Sequence, residues 1–328
     1  MALPPVEAVV ARLLGDLRLL ILLGTLLLAL LVSITLRWPS NRIVLALETG
    51  AVAFEIAERT DLADLDYRVP GTGPVRLYGV PELDVAPHVD VAGLRAPLTA
   101  TVTAEAVLQS LRLGAGSGLE LRLQPKAGLD AILRGAGSAD IELVSAGGEL
   151  RVVAADGKAL APAILPEPIE IALTARQATD RMRLRLPAPT REQPIVLAEE
   201  IKIRGLTFGR ERSGRDDRLP FRSAILGGTI RMQDTARTAT LQAGDPIWLE
   251  NFDGIITSLR IDENGIKLHV LGTAARIAVG PPDFEEELTP TVLAYLYNKE
   301  GLKALWGSFL FILAALWQLR SWARARSP

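Results

Sequence analysis

Leu119-Glu-Leu-Arg-Leu-Gln124 decides the fold. Three leucines fall on one side of an extended chain and Glu120, Arg122 and Gln124 on the other, the pattern of a strand with one face in a core and one in water. A helix would scatter the same residues around its circumference. The alternation recurs at Ala139–Val144, Glu149–Val153, Ile169–Ala175 and Arg181–Leu186, separated by Gly-Ala-Gly-Ser, Ala-Gly-Gly and Ala-Asp-Gly turns. Strands this closely spaced, with no long helical pattern between them, predict an antiparallel sandwich or barrel and not a parallel βαβ sheet. Only Ala104–Arg112 and Gly128–Arg134 read as short helices.

Upstream, Ile43–Leu47 and Ala51–Ile56 read as strands broken at Thr49-Gly50, followed by a turn-rich connector at Arg68–Pro74 and an irregular or edge-like stretch at Tyr78–Pro97. Downstream, three prolines within Pro187–Pro194 cannot continue a ladder and mark a boundary. A second β unit follows, with strands at Ile201–Arg204, Ala224–Met232, Thr238–Gln242 and Ile247–Glu250. Leu259–Val270 reads as a hairpin turning at Asn264-Gly265, a pair that tolerates positive φ. The charged stretch Gly209–Arg218 reads as a solvated loop.

Two uncharged apolar runs bracket these strands. Leu19–Leu36 covers about 27 Å as a helix and Ala304–Leu319 about 24 Å, so each is expected to cross a bilayer. The first run is followed by Arg-Trp-Pro-Ser-Asn-Arg, which offers no small-x-small site for a signal peptidase. Four of the five tryptophans, Trp38, Trp306, Trp317 and Trp322, sit at or just beyond the run ends, where amphipathic rings prefer the headgroup level. Thr289-Pro290 is expected to cap a helix leading into the second run. Gly24, Ala304, Ser308 and Ala315 supply small residues for close helix packing within the chain or between copies. Neither run carries an ionisable residue, so no proton or ion relay is expected.

The expected organisation is a cytoplasmic tail at 1–18, a first span at 19–36, exported β subdomains at 42–187 and 195–280, a juxtamembrane helix at 289–303, a second span at 304–319 and a basic cytoplasmic tail at 320–328. Arg320, Arg324 and Arg326 against Lys299 and Lys303 tilt the positive-inside balance towards cytoplasmic termini. The fold class is therefore mainly β, an antiparallel sandwich- or barrel-like exported domain between two transmembrane helices. The expected location is the cytoplasmic membrane with the bulk of the chain outside it.

Composition narrows the chemistry. With no cysteine there is no disulfide, thiolate nucleophile or cysteine-ligated metal. The net charge of −2 removes an electrostatic case for nucleic acid. Arginine far outnumbers lysine and no Asn-x-Ser/Thr acceptor occurs, a pattern suggesting a bacterial chain. His269 lies on the polar side of a strand, and His88, near Asp84 and Asp90, has no second histidine for a metal site. Gly114-Ala-Gly-Ser-Gly118 lacks the Lys-Ser/Thr ending of a phosphate loop and reads as a β-turn, as does Gly135-Ala-Gly-Ser. Asp216-Asp217 reads as solvated charge, and Asp245, Glu250 and Asp253 lack a defined calcium-ligand spacing. Arg181, Arg183 and Arg185 form a positive ladder, expected to pair with acids such as Glu170 on a neighbouring strand or to face anionic lipid or glycan. The acidic run Asp283, Glu285, Glu286, Glu287 is either a spacer or a docking strip for a basic partner.

No catalytic residue, cofactor or metal ligand is assigned. The expected partners are the bilayer and other envelope or membrane proteins, or further copies of the chain, with no nucleic acid. The leading expectation is a non-enzymatic scaffold, docking or sensing domain. A lipid- or glycan-binding domain would need a continuous apolar groove, and a carboxylate-dependent hydrolase would need two acids converging in a cleft.

Overall fold

The computed structural model describes residues 28, 31–32, 35–37, 39–62, 67–69, 73–86, 94–103, 106–124, 127–135, 137–159, 163–175, 181–197, 200–211, 221–281, 284–298, 307, 310 and 318. They fall into two compact units, 42–288 and the paired chain ends 1–41 and 289–328.

The first half of the larger unit supplies β1 (Asn41–Thr49), β2 (Ala51–Ile56), β3 (Thr60–Asp61), β4 (Tyr67–Val69), β5 (Val75–Val80), β6 (Leu83–Ala86), β7 (Leu98–Thr103), β8 (Ala106–Leu113), β9 (Ser117–Gln124), β10 (Gly128–Gly135), β11 (Ala139–Val153), β12 (Ala163–Ala175) and β13 (Met182–Leu186). The second half supplies β14 (Ile195–Leu197), β15 (Ile201–Thr207), β16 (Gly209–Glu211), β17 (Phe221–Ser223), β18 (Ile225–Met232), β19 (Thr238–Leu241), β20 (Ile247–Glu250), β21 (Asp253–Ile261), β22 (Ile266–Ala274), β23 (Arg276–Val279) and β24 (Glu286–Glu287). Nineteen of these share one hydrogen-bonded sheet.

One unbroken ladder path runs β19–β18–β1–β22–β21–β15–β2–β9–β10–β13–β5–β7–β11–β12–β6. The mainly β, antiparallel, sandwich-like expectation is met. A sheet this wide must coil on itself to hide one face. That face is one cluster of buried side chains reaching from Ile43 to Leu288.

The path crosses the boundary expected at Pro187–Pro194. β1 pairs with β18 and β22, while β2 pairs with β9 and β15, so β1 lies among strands far along the chain. The chain changes face at Gly50. Ile43, Leu45 and Leu47 face the core before it, and Val52, Phe54 and Ile56 after it, a one-residue change of face. The Gly50 N–H donates to the Ala224 carbonyl, and the Thr49 hydroxyl reaches the Ala51 and Ala224 carbonyls.

Four local expectations are corrected. Ala104–Arg112 and Gly128–Arg134 are not helices, because β8 and β10 are strands. β10 is buried on both faces from Gly128 to Leu133, which hid its period of two. Ala146-Gly-Gly is no turn, since β11 runs through it with a bulge between Ala146 and Gly148, opposite Pro168 of β12. The loop expected at Gly209–Arg218 begins as β16, paired to β17. The hairpin at β21–β22 is present, but Ile261 and Ile266 close it across a four-residue loop. Asp262 Oδ1 accepts the Asn264 N–H at 2.9 Å, and neither Asn264 nor Gly265 is at positive φ. Space around Gly265 is tight instead, since a Cβ there would lie 3.1 Å from Glu48 Cγ and Leu226 Cδ1 and those side chains would have to shift slightly.

In the smaller unit, the Val292 N–H donates to the Leu36 carbonyl at 2.9 Å, Arg37 bridges Thr291 as an isolated antiparallel pair, and Arg37 Nη1 donates to the Thr289 carbonyl at 2.8 Å. The end of the first apolar run is thereby fastened to Thr289–Val292, a segment that precedes the second run in the chain. Helix α1 (Val292–Asn298) starts two residues later than expected. Thr291, not Thr289, is its cap, accepting the Ala294 N–H at 3.1 Å. Among the described residues no helix is long and apolar enough to cross a membrane. Residues 28, 31, 32 and 35 of the first run and 307, 310 and 318 of the second are helical, and the rest of both runs lies outside the described residues.

Candidate functional site

The outer face of β9, β10 and β13 carries a cluster of arginines around two buried carboxylates. β10 puts Leu129, Ala131 and Leu133 into the core and Asp130, Ile132 and Arg134 on the outer face. Register then sets the neighbours. Asp130 lies between Arg122 of β9 and Arg185 of β13, and Ile132 between Glu120 and Arg183. Long arginine stems lie over the strand from both sides, so Asp130 is only 1% exposed although it is on the outward face.

Asp130 Oδ2 accepts from Arg183 Nη2 at 2.5 Å and from Gln124 Nε2 at 2.8 Å, and Oδ1 lies 3.4 Å from Arg185 Nε. Arg185 Nη2 donates to Gln124 Oε1 at 3.1 Å, and Arg183 stacks over the Tyr78 ring with its central carbon 5.7 Å from the centroid. Hydrogen bonding to Asp130 raises the Arg183 guanidinium above its ordinary value, outweighing partial burial, so its charge is permanent. Glu120 is buried in the same way beneath Arg122 and Arg134, the latter at 2.5 Å.

The row through Asp130 extends further. Arg151, Thr101, Arg76, Arg185, Asp130, Arg122 and Ala51 are successive register partners on β11, β7, β5, β13, β10, β9 and β2. At about 4.8 Å per strand, Arg151 and Arg122 stand roughly 24 Å apart. Four arginines and one carboxylate thus form a positive line across the strands. Two recesses open beside it, one of about 380 Å³ at Arg76 and Arg185 and one of about 290 Å³ at Arg134 and Arg204. Guanidinium groups stay protonated and both carboxylates are held by arginines, so this surface is suited to recognising negative charge.

The sequence anticipated cross-strand pairing of the Arg183 ladder but named Glu170. Glu170 is on β12, opposite Val144 and Ala86, and the acid that meets the ladder is Asp130. Asp130 and Glu120 were missed as site residues. The signal available for Asp130 was a lone acid inside the apolar stretch Gly128–Leu133.

The acidic strip is partly occupied. Glu285 pairs with Arg276 at 2.5 Å and Glu286 with Arg237 at 2.6 Å, Glu287 sits on β24 opposite Ala278, and Asp283 lies outside the described residues. Gly24, Ala304, Ser308, Ala315, Trp38, Trp306, Trp317, Trp322, His88, Asp90, Asp216 and Asp217 also lie outside them. His269 is exposed opposite Ser258. Asp245 accepts the Gln242 N–H and Glu250 pairs with Arg276. Among the described residues no three acids or histidines cluster as metal ligands. Gly114–Ser117 is a turn leading into β9, with the Ser117 N–H donating to the Gly114 carbonyl, and the Gly114 N–H donates to the Ser138 carbonyl.

No protein-family model matches the chain, and no curated protein or solved structure does either. The class defined here is therefore structural: a mainly antiparallel β-domain bearing an arginine-lined outer face.

Proposed function

We propose that the chain is a non-enzymatic envelope protein, anchored in the cytoplasmic membrane by both ends, whose exported β-domain is a scaffold or docking module. The observation that carries this reading is the fastening of Leu36-Arg37 to Thr289–Val292. Joining the end of the first run to a segment shortly before the second suits a chain that leaves and re-enters a bilayer close to one point, and it satisfies backbone groups at the junction. The exposure of Leu28, Leu31, Leu36 and Leu310, each more than half open, supports lipid as the solvent of both runs.

The test is purification of the full chain from membranes in mild detergent, with protease added to intact spheroplasts in parallel. The reading expects a protein recovered at fixed stoichiometry, a digested β-domain and protected termini. A chain found in the soluble fraction, or recovered alone from membranes with its β-domain protected, would overturn it.

A further inference from the structure

We propose that the recess between Arg76 and Arg185 binds a phosphate group. Arg76 and Arg185 are direct partners in the β5–β13 ladder and project from the same outer face. Like charges directly opposite in an antiparallel pair repel, and here the local acid does not cancel them. Asp130 is shared between Arg183 and Arg185, at 2.5 and 3.4 Å, so one carboxylate serves two guanidinium groups. Among the described residues the Arg76 side chain has no hydrogen-bond or ion-pair partner, and its neighbour on the other side is Thr101, followed by Arg151. Three guanidinium groups against one carboxylate leave a surplus of two positive charges in a place where β-sheet register forbids the strands to shift apart.

The recess at this point has a volume of about 380 Å³ and is walled by small or rigid residues, Gly73, Pro74, Ala127 and Pro187. A Cβ on Gly73 would touch the Pro187 ring at 3.4 Å, so these two walls lie close together. Arg185 is held in place by Gln124 and Asp130, while Arg76 is exposed and free to fold over an occupant. A phosphate dianion supplies the matching charge of about two, and its oxygens take the paired N–H groups of a guanidinium fork. A single carboxylate would neutralise half of the surplus. The phosphate is free in solution or borne by a lipid headgroup; the site chemistry is the same.

The test uses the full chain in nanodiscs of neutral lipid, titrated calorimetrically with inorganic phosphate and, at equal ionic strength, with chloride. Saturable binding of one phosphate per chain is expected, with no counterpart in chloride. Arg76→Gln should weaken it at least tenfold without moving the phosphate-free melting midpoint, because among the described residues Arg76 has no structural partner to lose. Arg231→Gln, an exposed arginine on β18 outside the row, should bind as the parent does. Absence of saturable phosphate binding by the parent, or equal binding by R76Q and the parent, overturns the proposal. Repeating the titration in nanodiscs containing phosphatidic acid identifies the source: a raised apparent Kd supports headgroup occupancy, and an unchanged one supports a soluble phosphate.

Discussion

Replacing Asp130 by Asn keeps the shape of the side chain and removes the charge that two arginines share. The carboxylate is 1% exposed, whereas Arg183 and Arg185 are 37% and 26% exposed. Removing one member of a fully buried pair costs about 3–5 kcal/mol. Here the guanidinium groups regain part of their hydration, and Asn retains one acceptor oxygen, so the loss should be about 2–3 kcal/mol. For a domain of this size that corresponds to a fall in Tm of roughly 5–10 °C. The assay is thermal unfolding of the full chain in neutral detergent, followed by circular dichroism at a β-sheet wavelength. Glu58→Gln serves as control: it removes an ion pair to Lys202 whose members are 65% and 53% exposed, and the midpoint should not move. Combining Asp130→Asn with Arg183→Gln should cost less than the two changes added, by about 1–2 kcal/mol, because the second removes a cation the first left stranded. A D130N midpoint within 1 °C of the parent, or strict additivity in the double variant, would refute the account of a buried acid holding the arginine face together.

Glycine substitutions should separate crowding from backbone strain. Gly128 has φ +109° and a Cβ there would fall 2.1 Å from the Leu186 carbonyl oxygen, so Gly128→Ala should cost more than about 3 kcal/mol, whereas Gly116→Ala, at φ +80° with nothing within 4 Å, should cost about 1–2 kcal/mol in a denaturant titration. Asp262 titrates low in the folded chain: burial alone would raise it, but the Asn264 N–H, the Lys267 ammonium and Gly265 together outweigh burial. A depressed folded pKa stabilises above the unfolded value of about 3.9 and is lost as pH falls through the folded one. Asp262→Asn should therefore flatten the stability profile between pH 5 and the acid limit, and an unchanged slope would remove the turn from the acid-sensitive set. The junction of the chain ends is testable in this cysteine-free sequence, because bridged antiparallel partners place Cα atoms within disulfide reach. Arg37→Cys with Thr291→Cys should cross-link under mild oxidation, seen as a shifted maleimide-labelling pattern, and free thiols in both positions would contradict the pairing.

The fold was legible wherever one face of a strand met water. Leu119–Gln124 and Arg181–Leu186 show their alternation because Glu120, Arg122, Arg183 and Arg185 mark the outer side. Between them, β10 carries Asp130 and Ile132 outward but beneath neighbouring arginines, so its sequence lacks the alternation of an exposed strand and reads instead as a short helix. The arginine ladder announced that an acid was needed. Which acid depends on register between strands fifty residues apart, and local sequence does not encode that directly. For the same reason β1 reads plainly as a strand from Ile43–Leu47, while its placement beside β18 and β22 is set by the face change at Gly50 and by tertiary packing. The acidic stretch at Glu285–Glu286 was visible, but its partners Arg276 and Arg237 are brought to it by the fold.

The placement of β1 also governs the order of assembly. Ile43–Leu47 is synthesised well before its partners at Gly228–Met232 and on β22. Until then the strand has both hydrogen-bonding edges open, a slow, non-local closure of the kind that exposes nascent chains to mispairing. The Arg42–Leu288 body is in this sense a zip fastened last where it began, and losing its final strands would strand the first one as surely as deleting it.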